Sequence, residues 1–159
     1  MDELSRLGID YDVIPGVSSF LATAAALKKE YTLPGVSQTV ILTRMEGRTP
    51  MPPKEKLRDL AKHNSTMIIF LSVGMIEQLA DTLKEEYRED TPVAVVYKAS
   101  WEDQKIVRGD LTNIAERVKE AGITKTALTV VGDFLGNDYD LSKLYDKTFT
   151  TEFRKGVTE

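Results

Sequence analysis

The sequence predicts an α/β fold: a mixed, mostly parallel sheet with helices on both faces and a β-hairpin. Three observations carry this. Strand-like runs alternate with helical stretches of about ten residues. The runs QTVILT (38–43), TMIIFL (66–71), PVAVVYK (92–98) and TALTVVG (126–132) are almost continuously apolar, as expected of strands covered on both faces. QKIVR (104–108) follows PVAVVYK after a short polar loop, which predicts the hairpin.

Residues 2–7 place Leu4 and Leu7 at i, i+3 before Gly8, the pattern of a helix end. Residues 11–14 read as a short strand. This half of an αβ unit fits either a fold entered midway or a short N-terminal helix that docks normally. Helices are predicted over 17–29, over 54–62 with Leu57, Leu60 and Ala61, and over 76–87 with Ile76, Leu79, Ala80 and Leu83 on one face. A last helix spans 111–121 and ends at Gly122. Residues 43–53 (TRMEGRTPMPP) hold three prolines and a glycine, and a loop of this length is often functional. The expected organisation is one domain over 1–136 and a polar tail over 137–159. The tail has only Leu141, Leu144, Tyr145, Phe149 and Phe153 to anchor it.

The 159 residues suffice for one domain with a radius of gyration of roughly 15 Å. An apolar fraction of 42% with 29% charged residues excludes wholesale disorder. With 21 Lys and Arg against 25 Asp and Glu the net charge is −4, the wrong sign for a general nucleic-acid binder. Cysteine is absent, which excludes disulfides, thiolate metal sites and a cysteine nucleophile. The single histidine, His63, sits at a predicted helix C-terminus, where a cation is favourable. No apolar run is long enough to span a membrane, and no signal peptide precedes the first helix, so a cytoplasmic protein is expected. No G-x-S-x-G, Walker loop or G-x-G-x-x-G occurs. The residues therefore predict a ligand-binding domain with no catalytic side chain and no metal site.

The candidate binding residues lie at strand ends, where ligands of α/β sheets sit. In VIPGVSS (13–19), Ser18 and Ser19 stand where a turn opens a helix with free backbone N–H groups. Plain N-capping is the other reading of these serines. Leu71 and Ser72, Ala99, and Thr126 and Ala127 are small or apolar residues that let a flat ring approach the backbone. Ordinary core and turn packing accounts for them equally well. Arg44 and Arg48 carry planar forks suited to carboxylates, or belong to a solvated loop. The tip Ser100-Trp101-Glu102-Asp103 holds the only tryptophan and reads as a partner surface or a turn.

VIPGVSS, IIFLSV (68–73), TPVAVVYKAS (91–100) with QKIVRGDL (104–111), and TALTVVG, in this order, resemble motifs of the tetrapyrrole (corrin/porphyrin) methyltransferases. YTLPGVSQTVILTRMEGRTPMP (31–52) and SKLYDKTFTTEFRKG (142–156) resemble the branch that methylates a cobalamin precursor. The resemblance implies two α/β domains with S-adenosylmethionine between them. The family's N-terminal glycine-rich and G-D-P motifs do not occur here, so the chain resembles the C-terminal domain alone, half a cleft that is inactive by itself.

The resemblance also implies residue roles. Ser18 and Ser19 would meet the methionine part of the cofactor. Leu71 is the apolar strand-end residue, and Ser72 stands where many relatives have glycine. Ala99, Thr126 and Ala127 would lie near the adenine. Arg44, Arg48 and Lys98 would hold substrate carboxylates. The implied partners are a tetrapyrrole substrate, the missing N-terminal domain and a second copy in a homodimer. Two alternatives remain open: another member of the family, such as a uroporphyrinogen or diphthine enzyme, and a non-catalytic binding or dimerisation module.

Overall fold

Five strands form one sheet in the computed structural model, which describes residues 1–157. The strands are β1 (Val40–Arg44), β2 (Thr66–Phe70), β3 (Pro92–Tyr97), β4 (Lys105–Asp110) and β5 (Ala127–Val131), in the spatial order β1-β2-β5-β3-β4. The helices are α1 (Asp2–Arg6), α2 (Ser19–Leu27), α3 (Leu57–Ala61), α4 (Ile76–Lys84) and α5 (Ile114–Glu120). The mixed sheet and the hairpin agree with the sequence, β3 and β4 pairing from Pro92 opposite Asp110 to Tyr97 opposite Lys105.

The expected parallel majority is corrected. Only β1 and β2 pair in parallel, and the other three pairings are antiparallel. The cause is β5, which inserts between β2 and β3 and runs against both. β1, β2 and β3 still point the same way, as crossovers through helices produce. Their carboxyl ends therefore share one sheet edge with the beginnings of β4 and β5.

Alternation along each strand divides the core into two clusters. Met67, Ile69, Val93, Val95 and Val131 face α3, α4 and α5, meeting Leu57, Ala61, Leu79, Leu83, Ile114 and Val118. Ile68, Ala94, Val96, Leu128 and Val130 face the opposite side, where Leu27 of α2, Tyr31, Leu33 and Phe134 cover them. The Tyr31 ring meets Phe134 edge-on at 5.2 Å, and its hydroxyl donates to the Phe20 carbonyl at 2.6 Å. Burial pushes the Tyr31 hydroxyl well above its ordinary pKa, so it remains a donor.

α5 begins at a polar knot. The Asp110 carboxylate accepts the backbone N–H groups of Thr112 at 2.9 Å and Asn113 at 3.2 Å, and the Asn113 N–H is shared with the Asp110 carbonyl at 3.2 Å. These bonds, the Thr112 hydroxyl foremost, hold the Asp110 carboxyl below the usual range. A Cβ at Gly109 would lie 2.2 Å from Asn113 Oδ1, so a side chain there would displace the Asn113 amide from the knot.

Two terminal expectations also change. Residues 11–14 form no strand, since no neighbouring strand lies beside them to complete a ladder. Val13, Ile14 and Val17 are exposed. The tail's apolar side chains do not anchor it: Leu141, Tyr145 and Phe153 are largely exposed. Polar contacts hold the segment instead, from the Asp140 N–H to Pro34 O at 3.2 Å and from Arg154 to the carbonyl of Leu144 at 3.2 Å. The last two residues of the predicted tail, 158 and 159, lie outside the described residues. No helix among the described residues is long and apolar enough to cross a membrane.

Candidate functional site

A cavity of about 430 Å³ opens at the sheet edge where β2 and β3 end and β5 begins. Phe70 and Leu71 enter it from β2, Val96, Lys98 and Ala99 from β3, and Thr126, Ala127 and Leu128 from β5. α2 contributes Ser19 and Thr23, one helical turn apart on the same face. Trp101 stands at the hairpin side. A mostly apolar wall with a few polar groups is the usual composition of a small-molecule site.

The backbone around this cavity is strained. Among the described residues, six that are not glycine have positive φ, and four of them cluster here: Leu71 (55°), Lys98 (46°), Ser100 (74°) and Thr126 (56°). Each left-handed residue with a side chain costs about 1–2 kcal/mol, and a β-branched one such as Thr126 is rarer still. Such strain persists where surrounding structure over-determines it, and it concentrates at ligand sites. The Lys98 N–H donates to Thr126 O at 2.9 Å, which ties two of the turns together. Thr126→Gly is therefore expected to keep or raise stability, by up to about 1 kcal/mol, because relief of strain outweighs the entropy cost of glycine. Urea denaturation checks this, and a loss above about 1 kcal/mol contradicts the strain.

Five of the seven sequence-derived cofactor candidates line the cavity: Ser19, Leu71, Ala99, Thr126 and Ala127. Ser18 is the residue before the first turn of α2 and makes no side-chain cap bond. Ser72 does not line the cavity. It is 1% exposed, donates to Phe70 O at 2.7 Å and accepts the Met45 N–H at 3.0 Å. Its hydroxyl thus brackets the ends of β1 and β2, a use of serine that glycine could not supply.

The three basic candidates are not brought together. Lys98 lines the cavity, where its ammonium meets Asp103 at 2.6 Å and lies 5.1 Å from the ring centres of both Tyr97 and Trp101. The Asp103 carboxylate beside it raises the Lys98 pKa. Arg44 folds the proline-rich loop around its own guanidinium, donating to Met45 O at 3.1 Å, Thr49 O at 3.1 Å and Pro50 O at 2.9 Å. Arg48 is exposed in that loop, with no side-chain hydrogen bond or ion pair among the described residues.

Sequence reasoning missed Thr23 and did not give Trp101 a place in the site. Thr23 is fully buried, and its hydroxyl has no hydrogen-bond partner among the described residues. The available signal was a polar residue four positions after Ser19 in an otherwise alanine-rich helix. An orphaned hydroxyl, an apolar slot between strand ends and an indole at the mouth together fit a flat base carrying a hydroxylated sugar.

The fold and this strand-end cavity define a member of a known class. The family model of Tetrapyrrole (Corrin/Porphyrin) Methylases matches residues 1–115, and the chain belongs to that family. It is 65% identical over 157 residues to the Cobalt-precorrin-4 C(11)-methyltransferase of Methanocaldococcus jannaschii, covering 98% of this chain and 61% of that protein. It is 33% identical over 127 residues to an S-adenosyl-L-methionine-dependent uroporphyrinogen III methyltransferase of Methanosarcina barkeri, covering 79% of this chain and 50% of that protein. The X-ray structure of a cobalt precorrin-4 methyltransferase superposes with a TM-score of 0.83 at 45% identity, covering 86% of this chain and 57% of that one. The chain thus spans about three fifths of the length of the first of these relatives.

Proposed function

We propose that this chain is the C-terminal domain, with its tail, of a two-domain methyltransferase. The enzyme would carry a methyl group from S-adenosylmethionine to C-11 of precorrin-4 or cobalt-precorrin-4 in cobalamin biosynthesis. The observation that carries this reading is the 65% identity to a Cobalt-precorrin-4 C(11)-methyltransferase across 98% of the chain. The cofactor supplies an electrophilic methyl group on sulfur. When bound it would supply that methyl to the attacking ring carbon, and this chain's residues would hold and align it.

The chain's own work is binding and alignment. Ala99, Thr126 and Ala127 would receive the adenine, and Ser18, Ser19 and Thr23 would lie toward the polar parts of the cofactor. Leu71, 84% exposed at the mouth, offers apolar surface that excludes water from the reacting atoms. The electron-rich macrocycle brings its own nucleophile, so no histidine or cysteine is needed. Arg48 is the best candidate for a substrate carboxylate, since Arg44 is engaged with its loop and Lys98 with Asp103. The reading includes an N-terminal domain forming the other wall, a homodimer, and a place in the cytoplasm with both substrates.

The test is methylation by the full-length protein of precorrin-4 and, in parallel, of uroporphyrinogen III, followed by mass spectrometry. A methylated product from precorrin-4 alone is expected. Product from uroporphyrinogen III alone would transfer the chain to another branch of the family. Arg48→Ala is expected to raise the tetrapyrrole KM about tenfold and leave the S-adenosylmethionine KM unchanged, as loss of one charge-assisted contact outside the cofactor cavity would do. An unchanged tetrapyrrole KM removes Arg48 from the substrate site.

A further inference from the structure

We propose that Trp101 is a binding residue of the nucleoside site, its indole forming the outer wall on which the purine lies. This rests on the reading that a nucleoside occupies the strand-end cavity. Trp101 lines that cavity and is 61% exposed. A two-residue turn is enough to join two antiparallel strands. Residues 98–104 form a longer tip, closed by hydrogen bonds of its own backbone.

The backbone N–H of Trp101 donates to Lys98 O at 3.0 Å, and that of Gln104 donates to Trp101 O at 3.1 Å. The Ser100 N–H donates to Gln104 Oε1 at 2.8 Å. Lys98 and Ser100 both hold left-handed backbone, at 46° and 74°. The Lys98 ammonium, fixed by Asp103 at 2.6 Å, lies 5.1 Å from the indole centre, within cation–π range. The strain and the polar contacts fix the backbone that carries Trp101, and the Lys98 ammonium lies over its ring, which is preorganisation of an exposed aromatic surface at the cavity mouth for a flat partner.

The chemistry favours the base over the rest of the cofactor. A neutral purine gains from stacking on an indole. The sulfonium end would meet the like charge of Lys98. Ala99, two residues before Trp101, lines the same cavity.

Calorimetry with S-adenosylhomocysteine on the full-length protein tests the assignment. Trp101→Ala is expected to weaken binding about tenfold, the size of one lost base–aromatic stack. Trp101→Phe should stay within about threefold of wild type, and the melting temperature of both ligand-free variants should be unchanged. Ligand should also quench the fluorescence that is lost in Trp101→Phe. Wild-type affinity in Trp101→Ala would overturn the proposal and leave the cavity's nucleoside reading standing. A raised tetrapyrrole KM with unchanged S-adenosylhomocysteine affinity would overturn it too, because the indole would then face the substrate. No binding by the wild-type protein would overturn both.

Discussion

Ala99→Leu is expected to weaken S-adenosylhomocysteine binding about a hundredfold or more while the domain remains folded. The cavity, at about 430 Å³, is toward the small end of ligand sites. Ala99 forms part of its wall at the end of β3, where a branched side chain would occupy the slot proposed for the adenine. A hundredfold loss corresponds to roughly 2.8 kcal/mol, comparable with losing the stacking and apolar contact of one base. Ala99 also touches the second core cluster only at its partly buried edge, so the larger side chain can turn outward without overpacking the interior. Calorimetry on the full-length variant, with a thermal melt as control, checks the prediction. Unchanged affinity in a folded variant would remove Ala99 from the site.

Phe134→Ala is expected to cost about 3–5 kcal/mol of stability, the range for truncating a fully buried phenylalanine. Phe134 has no exposed surface and packs with Tyr31, Ile68, Val96, Leu128 and Val130. Since a domain of this kind has about 5–15 kcal/mol in total, the variant loses a large share of it. Urea denaturation gives the value. A loss below about 2 kcal/mol would mean that the cluster closes over the gap. The effect reaches the site as well, because α2, which carries Ser19 and Thr23, packs on the same cluster through Phe20, Ala24 and Leu27.

The runs that became β2, β3 and β5 were legible to within a residue or so of their ends, because strands buried on both faces are almost continuously apolar. The hairpin was legible from its polar tip. The insertion of β5 between β2 and β3 was not, because an apolar strand pairs equally well in either direction and its neighbours are chosen in three dimensions. The strand expected at 11–14 failed for a related reason: its apolar residues had no ladder to join.

Leu71, Ala99, Thr126 and Ala127 line the cavity as small or apolar residues at strand ends, and Ser19 lines it from the turn that opens α2, so the place of these candidates was legible. Thr23 escaped because a threonine inside an alanine-rich helix looks like a solvated position. Ser72 and Arg44 carry the groups expected of binding residues, yet Ser72 bonds the backbone of Phe70 and, across to β1, of Met45, and Arg44 bonds its own loop, and such bonds leave no mark on sequence spacing.

The strand-end cavity is proposed as the nucleoside half of the cofactor site. A crystal structure of the full-length protein with S-adenosylhomocysteine tests it most directly. The expected result places the adenine against Ala99, Thr126 and Ala127 with the Trp101 indole beside it. An adenine bound elsewhere, with this cavity left to solvent, would contradict it.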